Sequence, residues 1–431
     1  MLYDQEKAGA GRLLGLDIVD WSMLSVAIGL TALLKAMHHQ RQRPSRRYGG
    51  HPTGTSYNVA SSPCRAASAK ISWRNILLGE ERAVASSYVF AGVGGYYASK
   101  QGGLAGVFRR ATDGTDWKHA LNDIEVFTVF VHPHDPNLVF AGTVDGVYRS
   151  TDRGQNFRRA DFPDRDVQVW SFLHDDADPK RMLAGGSPVS IYRSEDGGAS
   201  WKRTPDPQLP VHAKMPFSCR VMRFAPHPRR RGEIFAVLEV SGVMRSTDGG
   251  ESWNDCSADL LRLAEAEPRL RSKLVSDTEA EGMLDGHAVC TTSADPDTVI
   301  IAVRMGLFNS KDQGKTWQDM RVDRFSPFTY GRDIKVSRQD PSTLYACLSV
   351  AAASKDGALY RSQDVGKTWQ RFDKVTPHGT LMSVGLHHSD ARQVYVAARY
   401  GEVFGTRDGG ESWLAMPLPQ GVQHIYALAC G

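Results

Sequence analysis

Cysteine is scarce and never paired in sequence: Cys64, Cys219, Cys256, Cys290, Cys347 and Cys430 are scattered through 431 residues with no C-x-x-C spacing. That argues against a zinc knuckle or a disulfide scaffold and suits a reducing compartment, so a cytoplasmic protein is expected. Charge of one sign is not in excess either. With 52 Lys and Arg against 48 Asp and Glu, the composition gives no case for nucleic-acid binding. Proline (21) is outnumbered by glycine (41), which signals many tight turns without a collagen-like period. No apolar run reaches the roughly 20 residues of a membrane-spanning helix. The nearest, Met23 to Met37, is interrupted by Lys35 and preceded by Asp17 and Asp20. A secretory leader is not matched, because Asp4 and Glu6 stand in the leader and the basic run Arg41, Arg43, Arg46, Arg47 follows the apolar stretch. Residues 1–70 are therefore read as an extension, partly disordered or an amphipathic helix, and membrane contact is not expected. A start codon placed too far upstream is the alternative. H-E-x-x-H, a phosphate-binding glycine loop and a serine nucleophile elbow are missing as well.

What is present is a repeat. Ser150-x-Asp152-x-Gly154-x-x-Phe157 is followed by copies ending in Trp201, Trp253, Trp317, Trp369 and Trp413, with their aspartates at Asp196, Asp248, Asp312, Asp364 and Asp408. A worn copy, one residue short, runs from Ala111 to Trp117. The pattern makes sense as a hairpin turn: the carboxylate accepts backbone N–H bonds of its own loop, glycine supplies a positive φ, and tryptophan starts the next strand as a large apolar plug. Short β-patterns such as Gly146-Val-Tyr-Arg precede each copy. Repeats of about 40–50 residues with four strands each indicate a β-propeller.

On these copies the chain resembles the Asp-box (BNR) repeat propellers, a sialidase-like and glycosyl-hydrolase-like superfamily. The resemblance covers roughly residues 75–431. It implies an all-β fold with a single seven-bladed propeller of four-stranded antiparallel blades over residues 71–431, following the N-terminal non-propeller extension. His424 to Cys430 is expected to join the first blade near Tyr88 and close the ring. The repeated aspartates sit on the outer rim and hold the fold; no chemistry is assigned to them. Sialidases of this group use an arginine triad and a Tyr–Glu pair on six blades, which this chain does not reproduce. Xyloglucanase-type members use two tandem propellers, sortilin-like receptors use ten blades, and the seven-bladed photosystem assembly factors are binding proteins.

Function in a propeller is expected where inner strands begin and long loops converge. Aligning the inner strands through Asp135-Pro136, Asp178-Pro179, Asp295-Pro296 and Asp340-Pro341 gives one column: Phe127, Trp170, Arg220, His287, Arg332 and Met382, with His424 or Tyr426 as the seventh member. Two residues earlier stand Asp285 and Tyr330. Arg220 and Arg332 beside Tyr330 form a receptor for an anion, and Trp170 and Phe127 form an apolar wall. His287 is the candidate proton carrier, with Asp285 or Glu281 as its orienting or acidic partner. A helical insertion over 256–286 is expected to lie over the channel mouth, either as a lid or as a surface helix. The other histidines, His132, His134, His387 and His388, are read as surface residues in turns.

Two functions follow. One is a hydrolase or lyase acting on a small anionic substrate, carboxylate-bearing, with a cyclic or aromatic compound allowed, and with no cofactor and no metal expected; a divalent ion held in the channel by His287 with Glu281 or Asp285 is the alternative. The other is a non-catalytic propeller that recognises a protein partner or acidic ligand, with Pro228-Arg229-Arg230-Arg231 as a contact patch. A purely structural polar network in the channel remains open beside both.

Overall fold

Each Ser-x-Asp-x-Gly turn is tied by the same bonds. In the copy at 246–253, Ser246 Oγ donates to Asp248 Oδ1 at 2.7 Å and accepts from Gly250 N at 2.9 Å, while the backbone N–H groups of Glu251 and Ser252 donate to Asp248 Oδ1 at 3.0 Å. Ser150, Ser194, Ser310, Ser362 and Thr406 repeat the hydroxyl bonds in their own copies. The motif glycine is needed for two reasons. Gly198 has φ +78°, and a Cβ there would stand 2.3 Å from the ring of Phe140 in the preceding sheet.

A computed structural model describes residues 87–94 and 104–431, together with the backbone pairing of Arg12–Leu13 with Leu16–Asp17. The expected extension over 1–70 otherwise lies outside the described residues. In the described residues the turns link third to fourth strands in seven four-stranded antiparallel sheets, the blades of a β-propeller. The first blade is closed as expected by the chain end: Ile425–Cys430 pairs with Tyr88–Val93, followed by Gly106–Ala111 and Lys118–Asn122. The inner strands of the next six blades are Val126–Val131, Gln168–His174, Val221–Pro226, Gly286–Thr292, Tyr330–Val336 and Leu381–Leu386. Their outermost strands are only two residues long, from Arg158–Arg159 to Leu414–Ala415, so each blade presents a short edge. Trp201, Trp253, Trp317 and Trp369 are all buried, each in a cluster that includes strands of the preceding blade. No helix among the described residues is long and apolar enough to cross a membrane.

Every inner strand carries a bulge at one level. The ladder skips a residue at Phe127, Trp170, Met222, His287, Arg332, Met382 and Tyr426 in the seven blades. A bulge re-aims the extra side chain, and here it turns all seven into the channel as a ring. The column read from sequence is therefore corrected in the fourth blade: Met222 occupies the bulge, and Arg220 lies before the strand. The seventh member is Tyr426.

The insertion after the fourth blade holds helix α1 (Ala258–Ala266), a 3₁₀ turn at Pro268–Leu270 and a short helix α2 (Glu281–Leu284). It packs into the fourth and fifth blades through Leu260, Leu263, Met283 and Leu284, and Asp259 Oδ2 accepts the Trp317 backbone N–H at 2.7 Å.

The motif turns predict an acid limit to stability. Burial pushes the Asp152 carboxyl up, but bonds from Asn156, Ser150 and Gln155 outweigh it and hold the group at about 2. Asp196, Asp248, Asp312, Asp364 and Asp408 are shifted in the same direction. A carboxyl lowered by folding binds fewer protons folded than unfolded, so its stabilisation is complete above its ordinary titration range and is lost as pH falls through that range to about 2. Urea midpoints should decline gently below pH 7 as histidines lowered by folding, such as His132 and His387, become protonated on unfolding, and fall steeply between pH 4 and 2. A D196N/D312N double variant, less stable at neutral pH, should show a shallower fall; an equal slope would refute the assignment.

Candidate active site at the channel mouth

At bulge level the channel is nearly filled. Phe127 stacks on Trp170 with ring centroids 4.2 Å apart, Tyr426 meets both edge-on at 5.9 and 5.6 Å, and a cavity of about 10 Å³ remains between them, the two methionines, His287 and Arg332. That volume is at the lower limit for one water. The ring is thus a floor, and anything larger must sit above it, on the side where inner strands begin.

On that side lies a buried polar cluster. His287 is only 4% exposed, and its ring is fixed at both nitrogens. Nδ1 donates to the Gly331 carbonyl at 2.7 Å, leaving Nε2 to face the Tyr330 hydroxyl at 3.1 Å and Asp285 Oδ2 at 3.5 Å. A carbonyl can only accept, so the neutral ring carries its proton on Nδ1 and presents Nε2 as a base. Burial pushes the Tyr330 hydroxyl up to about 12, against the pull of Arg332, so it remains a proton donor near neutral pH. Arg304 binds Asp285 Oδ2 through Nε and Nη2 at 2.9 and 2.8 Å and Glu281 Oε1 through Nη1 at 3.0 Å.

Glu281 and Asp285 therefore play different parts. Glu281 is fully buried, and its Oε2 accepts the backbone N–H groups of Leu274, Val275 and Ser276 at 2.8–3.0 Å and the Ser276 hydroxyl at 2.8 Å. With Arg304 on the other oxygen, its acceptor capacity is spent on holding the insertion loop, which leaves none for chemistry. Burial alone would raise the Asp285 carboxyl, but Arg304 and His287 overturn that and hold it well below its ordinary value. Its Oδ1 is buried with no hydrogen-bond partner.

Arg220, placed one step outside the ring, lies with its guanidinium 4.2 Å from the Trp170 ring centroid and contacts Glu239 Oε2 through Nε. Glu239 was not read from the sequence. It comes from the end of a second strand, after Leu238, and inner-strand alignment does not reach it. Burial pushes its carboxyl up, against Arg220, His287 and Arg332 and with the help of Asp285. Arg332 reaches the ring from the sixth blade with Nε buried and unpartnered, and Arg399 from the seventh blade is in the same condition. Arg399 also lies close enough to Tyr330 and His424 to lower both groups. The cluster thus joins an acid-prone carboxyl, an ionised carboxylate, an imidazole held at both nitrogens and arginine nitrogens without partners.

Asp333, next to Arg332 in the chain, pairs with Arg223 at 3.6 Å and Lys335 at 3.7 Å. Of the four histidines read as surface residues, His134 is exposed as expected and two are corrected. His132 and His387 are buried, and their Nδ1 atoms accept the N–H groups two and three residues on, capping the turn after the inner strand. His227 does the same in the fourth blade.

No family model and no curated protein matches the chain. Solved structures do. The GH74 xyloglucanase from Xanthomonas campestris is 16% identical with a TM-score of 0.51, over 67% of this chain and 45% of that one. YCF48 from Cyanidioschyzon merolae is 15% identical with a TM-score of 0.46, over 70% of this chain and 86% of that one. The β-propeller domain of Cps50 (Swd1) from Myceliophteria thermophila is 10% identical with a TM-score of 0.48, over 70% and 89%. The likeness is one of fold alone. The chain spans less than half the length of the xyloglucanase it matches.

Proposed function

We propose that the protein is a hydrolase or lyase acting on a small anionic substrate held above the ring. The observation that carries this reading is the convergence of His287 Nε2, the Tyr330 hydroxyl and Asp285 Oδ2 beside arginine nitrogens without partners, where two carboxyl groups are pushed in opposite directions, Glu239 up and Asp285 down. Environments that separate two carboxyls in this way divide the acid role from the base role. Glu239 donates a proton to the leaving group. His287 Nε2 takes a proton from water in a hydrolysis, or from carbon in an elimination, and Asp285 steadies the imidazolium that forms. Arg332 and Arg399 hold the anionic group and stabilise charge developing on it. Trp170 and Phe127 support a ring. The motif copies add the resemblance to Asp-box propellers, a group with both hydrolases and binding proteins. The five described cysteines are all free, which fits a reducing, cytoplasmic setting.

The test is a melting screen with small carboxylates and sugar acids, since a ligand that binds only the folded state raises Tm. A hit should stabilise the wild type and lose at least about tenfold in affinity in Arg332→Ala, roughly the value of one charge-assisted bond. Stabilisation that survives in Arg332→Ala would remove the arginine from the site.

The second reading, a binding propeller, has its own observation. A groove of about 290 Å³ on the opposite face, between the third and fourth blades, is lined by Arg181, Arg229, Arg230 and Arg231. Arg230 is already paired with Glu233 and with Asp297 at 2.8 Å, so Arg181, Arg229 and Arg231 are the ones to meet an acidic partner. An R229E/R231E variant that loses a partner while Arg332→Ala keeps it would favour this reading.

A further inference from the structure

Two inner strands end side by side on the face opposite the candidate active site, and their turns bring together His134, His174 and Asp176. Asp176 Oδ1 lies 3.2 Å from His174 Nδ1 and 3.4 Å from His134 Nε2, and all three donor atoms fall within 4.8 Å of one another. Ligands bound at about 2.0–2.2 Å in a tetrahedron are separated by roughly 3.3–3.6 Å, so both measured edges are close to those of a first coordination shell.

The three groups are held in place by the fold. His132 Nδ1 accepts the N–H groups of His134 and Asp135 at 3.3 and 3.1 Å, which sets the turn that presents His134. His174 is 6% exposed, packed edge-on against His132 with centroids 4.3 Å apart. Its Nε2 is buried with no hydrogen-bond partner, so the ring's polar contact is through Nδ1, turned to Asp176. Arg338, from the sixth blade, binds the same carboxylate through Nη2, at 3.2 Å to Oδ2 and 3.3 Å to Oδ1. A partner of this kind orients a ligating carboxylate from behind.

We propose that His134, His174 and Asp176 form a site for a divalent transition metal, independent of the chemistry at the other mouth. Two imidazoles and one carboxylate select zinc, cobalt, nickel or copper over magnesium and calcium, whose shells are built from oxygen. Three protein ligands leave a fourth position open to water or to an exogenous donor, the arrangement of a reactive centre and not of a closed structural one. His174 and Asp176 also line the 290 Å³ groove, so the ion borders a cavity. The site joins the second and third blades.

The experiment uses the full chain freed of any histidine tag and stripped with chelator. Zn²⁺ titrated by calorimetry should bind one ion per chain, and Co²⁺ should give the visible absorption of a four-coordinate site. An H134Q/D176N variant should lose at least about 100-fold in Zn²⁺ affinity together with the Co²⁺ band. Both side chains are more than half exposed, so the variant should fold, as checked by its unchanged near-ultraviolet circular dichroism. His378→Ala, at an exposed histidine elsewhere, should leave both signals intact. Equal Zn²⁺ affinity in wild type and H134Q/D176N, or a Co²⁺ spectrum of purely octahedral intensity, would overturn the proposal.

Discussion

Replacing Arg304 with methionine is expected to destabilise the protein by about 3–5 kcal/mol, because it leaves buried carboxylates without their cation. Arg304 sits between Glu281 and Asp285, which are 0% and 5% exposed, and donates three hydrogen bonds to them. The two carboxylates raise its own pKa despite the burial that opposes them. The losses will not be shared equally. Glu281 retains three backbone N–H groups and a hydroxyl, whereas Asp285 keeps only His287, at 3.5 Å. Asp285 should therefore take up a proton in the variant, or the strand that begins at Gly286 should shift. The insertion reports the damage locally: Arg271 and Lys273 are exposed in the loop that Glu281 holds, and trypsin should cut there in Arg304→Met long before it cuts the wild type. Urea unfolding measures the global loss. A change under about 1 kcal/mol would mean that the pair is solvated in solution, and the account of Glu281 as a loop anchor would fall with it.

The sequence made the ring of blades visible because the turn motif needs particular atoms. A hydroxyl, a carboxylate and a glycine at fixed spacing have few substitutes when each makes the same bond in every blade, as Ser246, Asp248 and Gly250 do. The bulge ring was visible for a related reason. The Asp-Pro turns lie a fixed distance after it, so counting back from them reached Phe127, Trp170, His287 and Arg332. The fourth blade has no Asp-Pro, and its turn is built instead on His227 with Pro228-Arg229-Arg230. Without that anchor the column was read two residues early there, at Arg220 and not at Met222. An even displacement kept Arg220 on the channel side of the chain, so it still belongs to the mouth. Glu239 and Arg399 were out of reach for a different reason. They come from the ends of second strands and converge on His287 and Tyr330 only through ring closure, which no local pattern encodes. The burial of His132 and His387 was hidden similarly, because a histidine in a turn looks solvated until its Nδ1 is seen to cap that turn.

Replacing Glu239 with glutamine should lower kcat on the substrate found by the melting screen by roughly 10²–10⁴-fold, the usual worth of a positioned general acid. Glutamine has the same shape and can still accept from Arg220, so the fold and the ligand-induced rise in Tm should survive. What it cannot do is give up a proton. The pH profile provides the stricter test. Burial raises the Glu239 carboxyl above its ordinary value of 4.5, so the wild-type enzyme should lose activity as pH rises through that higher value and the acid is deprotonated. Glu239→Gln should lack that limb and leave the low-pH side of the profile unchanged. The behaviour of the limbs separates a role in proton transfer from a role in structure, because a residue that only neutralised Arg220 would change Tm and KM and leave the shape of the profile alone. A Glu239→Gln enzyme with wild-type kcat and an unchanged pH profile would return Glu239 to the ion-pair network and leave the acid role to another group, such as the Tyr330 hydroxyl that faces His287.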